Sequence, residues 1–163
     1  MAELPHPIAV VAHDLRSAHN VGSVLRTADS AGLAHVYLTG TSATPEHRGV
    51  RKTALGAQDA VPWSAEPDLG ALLARLRADG WTLAALELTP DAVAPAAVPP
   101  GAFPLALVLG NEVDGVAPDV LAACDLAVAL PQYGVKSSLN VSVACGVAAY
   151  GLVARVRAAR ASP

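Results

Sequence analysis

The chain reads as an α/β domain, a parallel sheet flanked by helices. Apolar runs of strand length at 8–12 (IAVVA) and 105–109 (LALVL) show no alternation, as in strands covered on both faces. Helix-patterned segments fall between the strand-like ones, which favours parallel crossovers over hairpins. The 163 residues are 53% hydrophobic and 15% charged, enough for one sizeable core, so positions 1–163 are expected to form a single domain.

The elements follow in order. After the strand at 8–12 comes a polar turn, 13–19. Residues 20–31 (NVGSVLRTADSA) pattern as a helix with Val21, Val24, Leu25 and Ala28 on one face, Asn20 as its N-cap and Gly32 just past its end. A second strand is expected at 35–38, a polar loop at 39–49 and a short helical turn at 50–57. Residues 68–78 (DLGALLARLRA) form an amphipathic helix stopped at Asp79-Gly80, followed by a strand at 81–88. Residues 89–103 carry Pro90, Pro95, Pro99 and Pro100 and read as a long surface excursion, since the strand pattern resumes at 105. A short helix ends at 120–123, a strand spans 126–130 and a loop spans 131–138. A long helix covers 141–159; Arg155, Arg157 and Arg160 near its end suit the helix dipole.

Several classes are excluded. The net charge of −3 argues against holding nucleic acid by bulk charge. Cys124 and Cys145 sit in apolar surroundings without a CxxC partner, so they read as buried small hydrophobes in a reducing compartment, with no metal. Residues 1–7 lack a basic stretch followed by an apolar one, and no apolar run reaches membrane-span length without Pro, Gly or charge. A soluble cytoplasmic protein with no membrane partner is the expectation. Neither G-x-G-x-x-G after the first strand nor G-x-x-x-x-G-K is present.

Three polar clusters fall where a parallel sheet places its ligand, beyond strand ends and at helix starts. The first holds His13, Asp14, Arg16, His19, Asn20 and Arg26. Asn20 alone is explained as a cap. Arg26, flanked by Leu25 and Ala28, is expected near the apolar face, where it needs an anionic or polar partner. The second is Gly110-Asn111-Glu112-Val113-Asp114-Gly115 after the strand at 105–109. Its glycines allow close backbone approach, and Glu112 is a partner for Arg26. The third, 130–140 (LPQYGVKSSLN), opens the last helix. Ser138 and Asn140 serve there as caps or as part of a polar ligand site.

NVGSVLRTADSAG, LVLGNEVDGV and LPQYGVKSSLNVSVA together resemble the three signature segments of the SpoU/TrmH family of SPOUT RNA methyltransferases, in their order and spacing over residues 8–153. VRKTALGAQDAVPW at 50–63 is similar to a linking segment in many members. The resemblance implies a C-terminal trefoil knot, a topology that pattern reasoning alone excludes. It implies methyl transfer from S-adenosyl-L-methionine to a ribose 2′-hydroxyl of tRNA or rRNA by a homodimer, with catalytic residues near the subunit interface. By motif position the cofactor pocket is Leu86, Glu87, Leu88, Gly110, Asn111, Leu130, Pro131, Gln132 and Leu139, largely through backbone groups. The catalytic set is Asn20, Arg26, Glu112, Ser138 and Asn140. The family's scheme makes the arginine a general base. Because a guanidinium stays protonated at neutral pH, the alternative is that Arg26 orients the ribose and stabilises the developing alkoxide.

RNA contact then falls to a local basic set, Arg16, His19, Arg48, Arg51, Lys52 and Lys136, with no separate RNA-binding domain. Two other readings stay open: a small-molecule methyltransferase on the same cofactor, and an RNA- or cofactor-binding homologue without catalysis.

Overall fold

The structure is a computed structural model that describes residues 5–162; the leaderless reading of residues 1–4 lies outside them. Six strands form one parallel sheet in the order β3-β2-β1-β5-β4-β6. They are β1 (His6–His13), β2 (Leu33–Thr39), β3 (Trp63–Glu66), β4 (Thr82–Leu86), β5 (Leu105–Leu109) and β6 (Leu126–Val128). The helices are α1 (Ala18–Ser30), α2 (Arg48–Ala54), α3 (Leu69–Ala78), α4 (Pro118–Ala123) and α5 (Val141–Ala161). The expected parallel α/β architecture is present.

The unbroken apolar runs have their predicted cause. In β1, Ile8, Val10 and Ala12 face the layer containing α1, α2 and α5, while Val11 faces the layer containing α3 and α4. In β5, Leu105, Leu107 and Leu109 face the first layer and Ala106 and Val108 the second. Both faces are dry, so alternation would have buried a polar side chain on one of them.

Three local expectations need correction. Asn20 is not the N-cap of α1. Ser17 is the cap, and its hydroxyl accepts from Asn20 N–H at 3.2 Å, which leaves Asn20 in the first turn and buried. No strand was expected between the helical turn at 50–57 and the helix at 68–78, yet residues 63–66 pair with β2 as an edge strand, Val36 opposite Trp63 and Thr39 opposite Glu66. Arg155 does more than complement a helix dipole: its Nε donates to the Val98 carbonyl at 2.8 Å and ties the proline-rich excursion to α5.

α5 is long and apolar enough to cross a membrane by length and composition. Here its Cys145, Ala148, Ala149 and Leu152 are fully buried within the core layer on the α1 side of the sheet. Close packing of α1 on α2 depends on Gly22, where a β-carbon would lie 2.6 Å from the Val50 carbonyl oxygen and 2.7 Å from Thr53 Cβ.

Because every strand runs the same way, all carboxyl ends lie on one edge. The chain runs outward from β1 to β2 and β3, then crosses to β4 and β5. The adjoining carboxyl ends of β1 and β5 are therefore the switch point where a crevice opens.

Candidate active-site cleft

At that switch point three distant segments meet. Asn20 Nδ2 donates to Glu112 Oε1 at 3.1 Å, and Asn140 Nδ2 donates to Asn20 Oδ1 at 3.2 Å. Glu112 Oε1 also accepts the Ser17 N–H at 3.1 Å. Asn140 is the N-cap of α5: its Oδ1 accepts from Ser142 N–H at 2.9 Å and from the Ser142 hydroxyl at 2.6 Å. One asparagine thus starts a helix and reaches back to α1. Burial pushes the Glu112 carboxyl up, but hydrogen bonds from Asn20 and from backbone N–H groups including Ser17 outweigh it. The carboxyl ends below the ordinary glutamate range and is ionised at neutral pH.

Beside this triad lies a cleft of about 470 Å³ walled by the ends of β4, β5 and β6 and by the loop before α5. Leu86, Glu87, Leu88, Gly110, Asn111, Leu130, Gln132 and Leu139 line it, together with Glu112, Ser138 and Asn140. Pro131 is exposed and does not line it. The turn after β5 is held from within, since Asn111 Oδ1 accepts from Val113 N–H at 2.8 Å and Asp114 N–H at 2.7 Å. Gly110 is required there: a β-carbon on it would run into the backbone of Gly115, itself at φ +68°. Glu87 joins two walls, accepting Leu88 N–H at 2.9 Å and Val116 N–H at 3.0 Å.

Arg26 does not meet Glu112. It is exposed rather than half-buried, and it lines a separate concavity with Ser23, Thr27, Ser30, Thr53 and Tyr150. Among the described residues no ion pair links it to Glu112. The expected pairing is replaced by the amide of Asn20, which reaches the carboxylate from the buried side of α1 while Arg26 lies on the outer side.

The basic residues expected to meet RNA are exposed, and none of them lines the cleft. Arg16 and His19 are exposed around Ser17, and Lys136 is exposed on the loop that walls the cleft. Arg48, Arg51 and Lys52 are exposed on α2, but the Arg51 guanidinium donates to the carbonyls of Pro45 at 2.7 Å and Glu46 at 3.0 Å and so secures its own loop. His13 and Asp14 also secure a loop, through Thr39 and Thr41. Burial pushes the Cys145 thiol up to about 12 and the Cys124 thiol up to about 11, so neither is a nucleophile at neutral pH.

Ser17 and the brace formed by the Glu87 side chain were not singled out from sequence. A serine three residues before Asn20 is the available signal for the first. Nothing local marks the second, because Val116 lies 29 residues away.

Known proteins resemble this chain in sequence and in fold. The chain is 33% identical over 162 residues to the 23S rRNA (guanosine-2′-O-)-methyltransferase RlmB of Vibrio parahaemolyticus, covering 98% of this chain and 64% of that protein. The chain thus spans less than two thirds of the length of the curated relatives it matches. An AdoMet-bound rRNA methyltransferase from Sinorhizobium meliloti superposes with a TM-score of 0.83 at 25% identity, over 90% of this chain and 57% of that one. A TrmH/SpoU tRNA modifying enzyme from A. aeolicus superposes with a TM-score of 0.83 at 26% identity, over 95% of this chain and 78% of that one. Residues 7–150 match the SpoU rRNA Methylase family, and the chain belongs to it.

Proposed function

We propose that the chain transfers a methyl group from S-adenosyl-L-methionine to a ribose 2′-hydroxyl of rRNA or tRNA. The observation that carries this reading is the meeting of Asn20, Glu112 and Asn140 at the lip of the cleft. Family membership and the activity of relatives named as guanosine-2′-O-methyltransferases support it.

The cleft fits the cofactor. Its volume of about 470 Å³ lies in the usual range for small-molecule sites. Leu86, Leu88, Leu130 and Leu139 give apolar wall for an adenine, and the carboxylates of Glu87, Glu112 and Asp114 suit a cation. The cofactor supplies an electrophilic methyl group on a positively charged sulfur. The protein's task is alignment of the hydroxyl and management of its proton. Asn20 has both ends of its amide engaged, so it holds the Glu112 carboxylate in a fixed orientation at the lip. Ser138 lines the cleft beside Asn140, within reach of a ribose at its mouth.

Arg26 belongs to this scheme through a second copy of the chain. The long helix α5 leaves Val143, Val147 and Tyr150 half-exposed along one stripe, and Tyr150 shares the Arg26 concavity. In a homodimer packed through that stripe, Arg26 of one protomer faces the cleft of the other. There its guanidinium orients the ribose and adjoining phosphate and stabilises the developing alkoxide. Arg16, His19, Arg48, Lys52 and Lys136 track the RNA backbone, with Arg51 in their midst.

The knot belongs to the same proposal. After β6 the chain turns into α5, which packs against the excursion 89–103 through Arg155 to Val98 and through Gly151, where a β-carbon would lie 2.7 Å from Pro95 Cβ. Passage of the C-terminal segment under that excursion is the threading a trefoil requires. The two cysteines are free, which fits a cytoplasmic setting.

Calorimetry tests the reading. S-adenosyl-L-methionine is expected to bind the isolated chain, and bulk tRNA or rRNA to bind with an affinity that falls steeply with salt. Cofactor binding with no RNA association would favour a small-molecule acceptor. Binding of both without transfer would indicate an inactive homologue.

A further inference from the structure

We propose that the side chain of Glu87 receives the vicinal diol of the cofactor's adenosyl ribose, and that it is held ready for this by the two cleft walls it joins. The inference rests on the cofactor reading above. Glu87 follows the last residue of β4 and lines the cleft, half-buried. Each carboxylate oxygen takes one backbone N–H, Oε1 from Leu88 at 2.9 Å and Oε2 from Val116 at 3.0 Å. An ionised carboxylate has about four acceptor sites, so one per oxygen remains for a ligand. Two adjacent hydroxyls are the donor pair that such a group accepts side by side.

The placement is built, not incidental. A β-carbon on Gly115 would collide with Glu87 Oε2, so the glycine leaves the room that the carboxylate occupies. With its orientation fixed from both walls, Glu87 loses little rotamer freedom when a ligand arrives. The other carboxylate at the lip, Glu112, already spends Oε1 on Asn20 and Ser17. An acidic side chain just past a strand end on a ribose hydroxyl is a solution that parallel α/β sheets use for other nucleotides.

The test is calorimetry on the full chain with S-adenosyl-L-methionine and its 2′-deoxy and 3′-deoxy analogues. Wild type is expected to bind each deoxy analogue about tenfold more weakly or worse, as for hydrogen bonds to a charged acceptor. Glu87→Ala should bind all three alike. Glu87→Gln keeps the shape and one acceptor and should lose discrimination at one hydroxyl, so it carries the test if the alanine variant does not fold. Discrimination unchanged in both variants, or absent in wild type, would overturn the assignment and leave Glu87 as a brace only. Failure of wild type to bind S-adenosyl-L-methionine at all would remove the cofactor reading and this inference with it.

Discussion

Asn20 Nδ2 lies 3.1 Å from Glu112 Oε1 across 92 residues of chain, and the same amide's oxygen accepts from Asn140 at 3.2 Å. Asn20 is only 5% exposed, so its amide is a buried group satisfied on both sides. Asn20→Ala is therefore expected to cost about 0.5–1.5 kcal/mol in urea unfolding for each hydrogen bond lost, since the partners Glu112 and Asn140 are exposed and can turn to water. Methyl transfer should fall by tenfold or more, mostly in kcat, with cofactor affinity nearly kept. A double-mutant cycle with Asn140→Ala should show coupling of about 0.5–3 kcal/mol, and additive losses would dissolve the triad.

Glu112 gives the triad a pH signature. Its folded-state carboxyl is depressed below the reference 4.5. The stability its hydrogen bonds contribute is thus complete above the unfolded value and is lost as pH falls through the lowered folded one. The urea midpoint of wild type should exceed that of Glu112→Leu at neutral pH, and the gap should close in acid below about pH 4. A gap independent of pH would mean that the carboxylate charge plays no part.

Much of this architecture was legible in the sequence. The strand 105–109 has the predicted bounds, two of the three polar segments that were singled out line the cleft, and the first meets them only through Asn20. Apolar continuity and turn chemistry are local signals, so they survive without knowledge of neighbours. Partner choice is not local. The carboxylate of Glu112 was matched with Arg26, and the helical twist gives it Asn20 instead: Asn20 faces inward and Arg26, six positions later, lies on the exposed side. Edge strand β3 escaped because its four residues alternate weakly and owe their conformation to pairing with β2.

The outward position of Arg26 yields a test by mixing subunits. Arg26→Ala should abolish transfer, leave cofactor binding intact and change stability little, since it is exposed. Asn140→Ala should abolish transfer through the other half of the site. If Arg26 serves the second protomer, random reassortment of the two dead variants rebuilds about a quarter of the wild-type sites. No recovery after verified subunit exchange would place Arg26 in the service of its own chain.

Cys145 reports on the core. Its thiol is fully buried and pushed up to about 12. Alkylation by iodoacetamide at neutral pH should be undetectable in the folded protein and should follow global unfolding when urea is added. Rapid modification under native conditions would contradict the packing of α5 on the sheet.

Direct evidence on the proposed reaction comes from the position of the transferred methyl. The chain is incubated with labelled S-adenosyl-L-methionine and rRNA or tRNA, and the RNA is then digested with alkali and resolved by mass spectrometry. The expected result is label in an alkali-resistant dinucleotide, the mark of a 2′-O-methyl ribose, lost in Arg26→Ala and in Asn20→Ala. Label on a base, or label in RNA that survives both substitutions, would contradict transfer at the cleft of Asn20, Glu112 and Asn140.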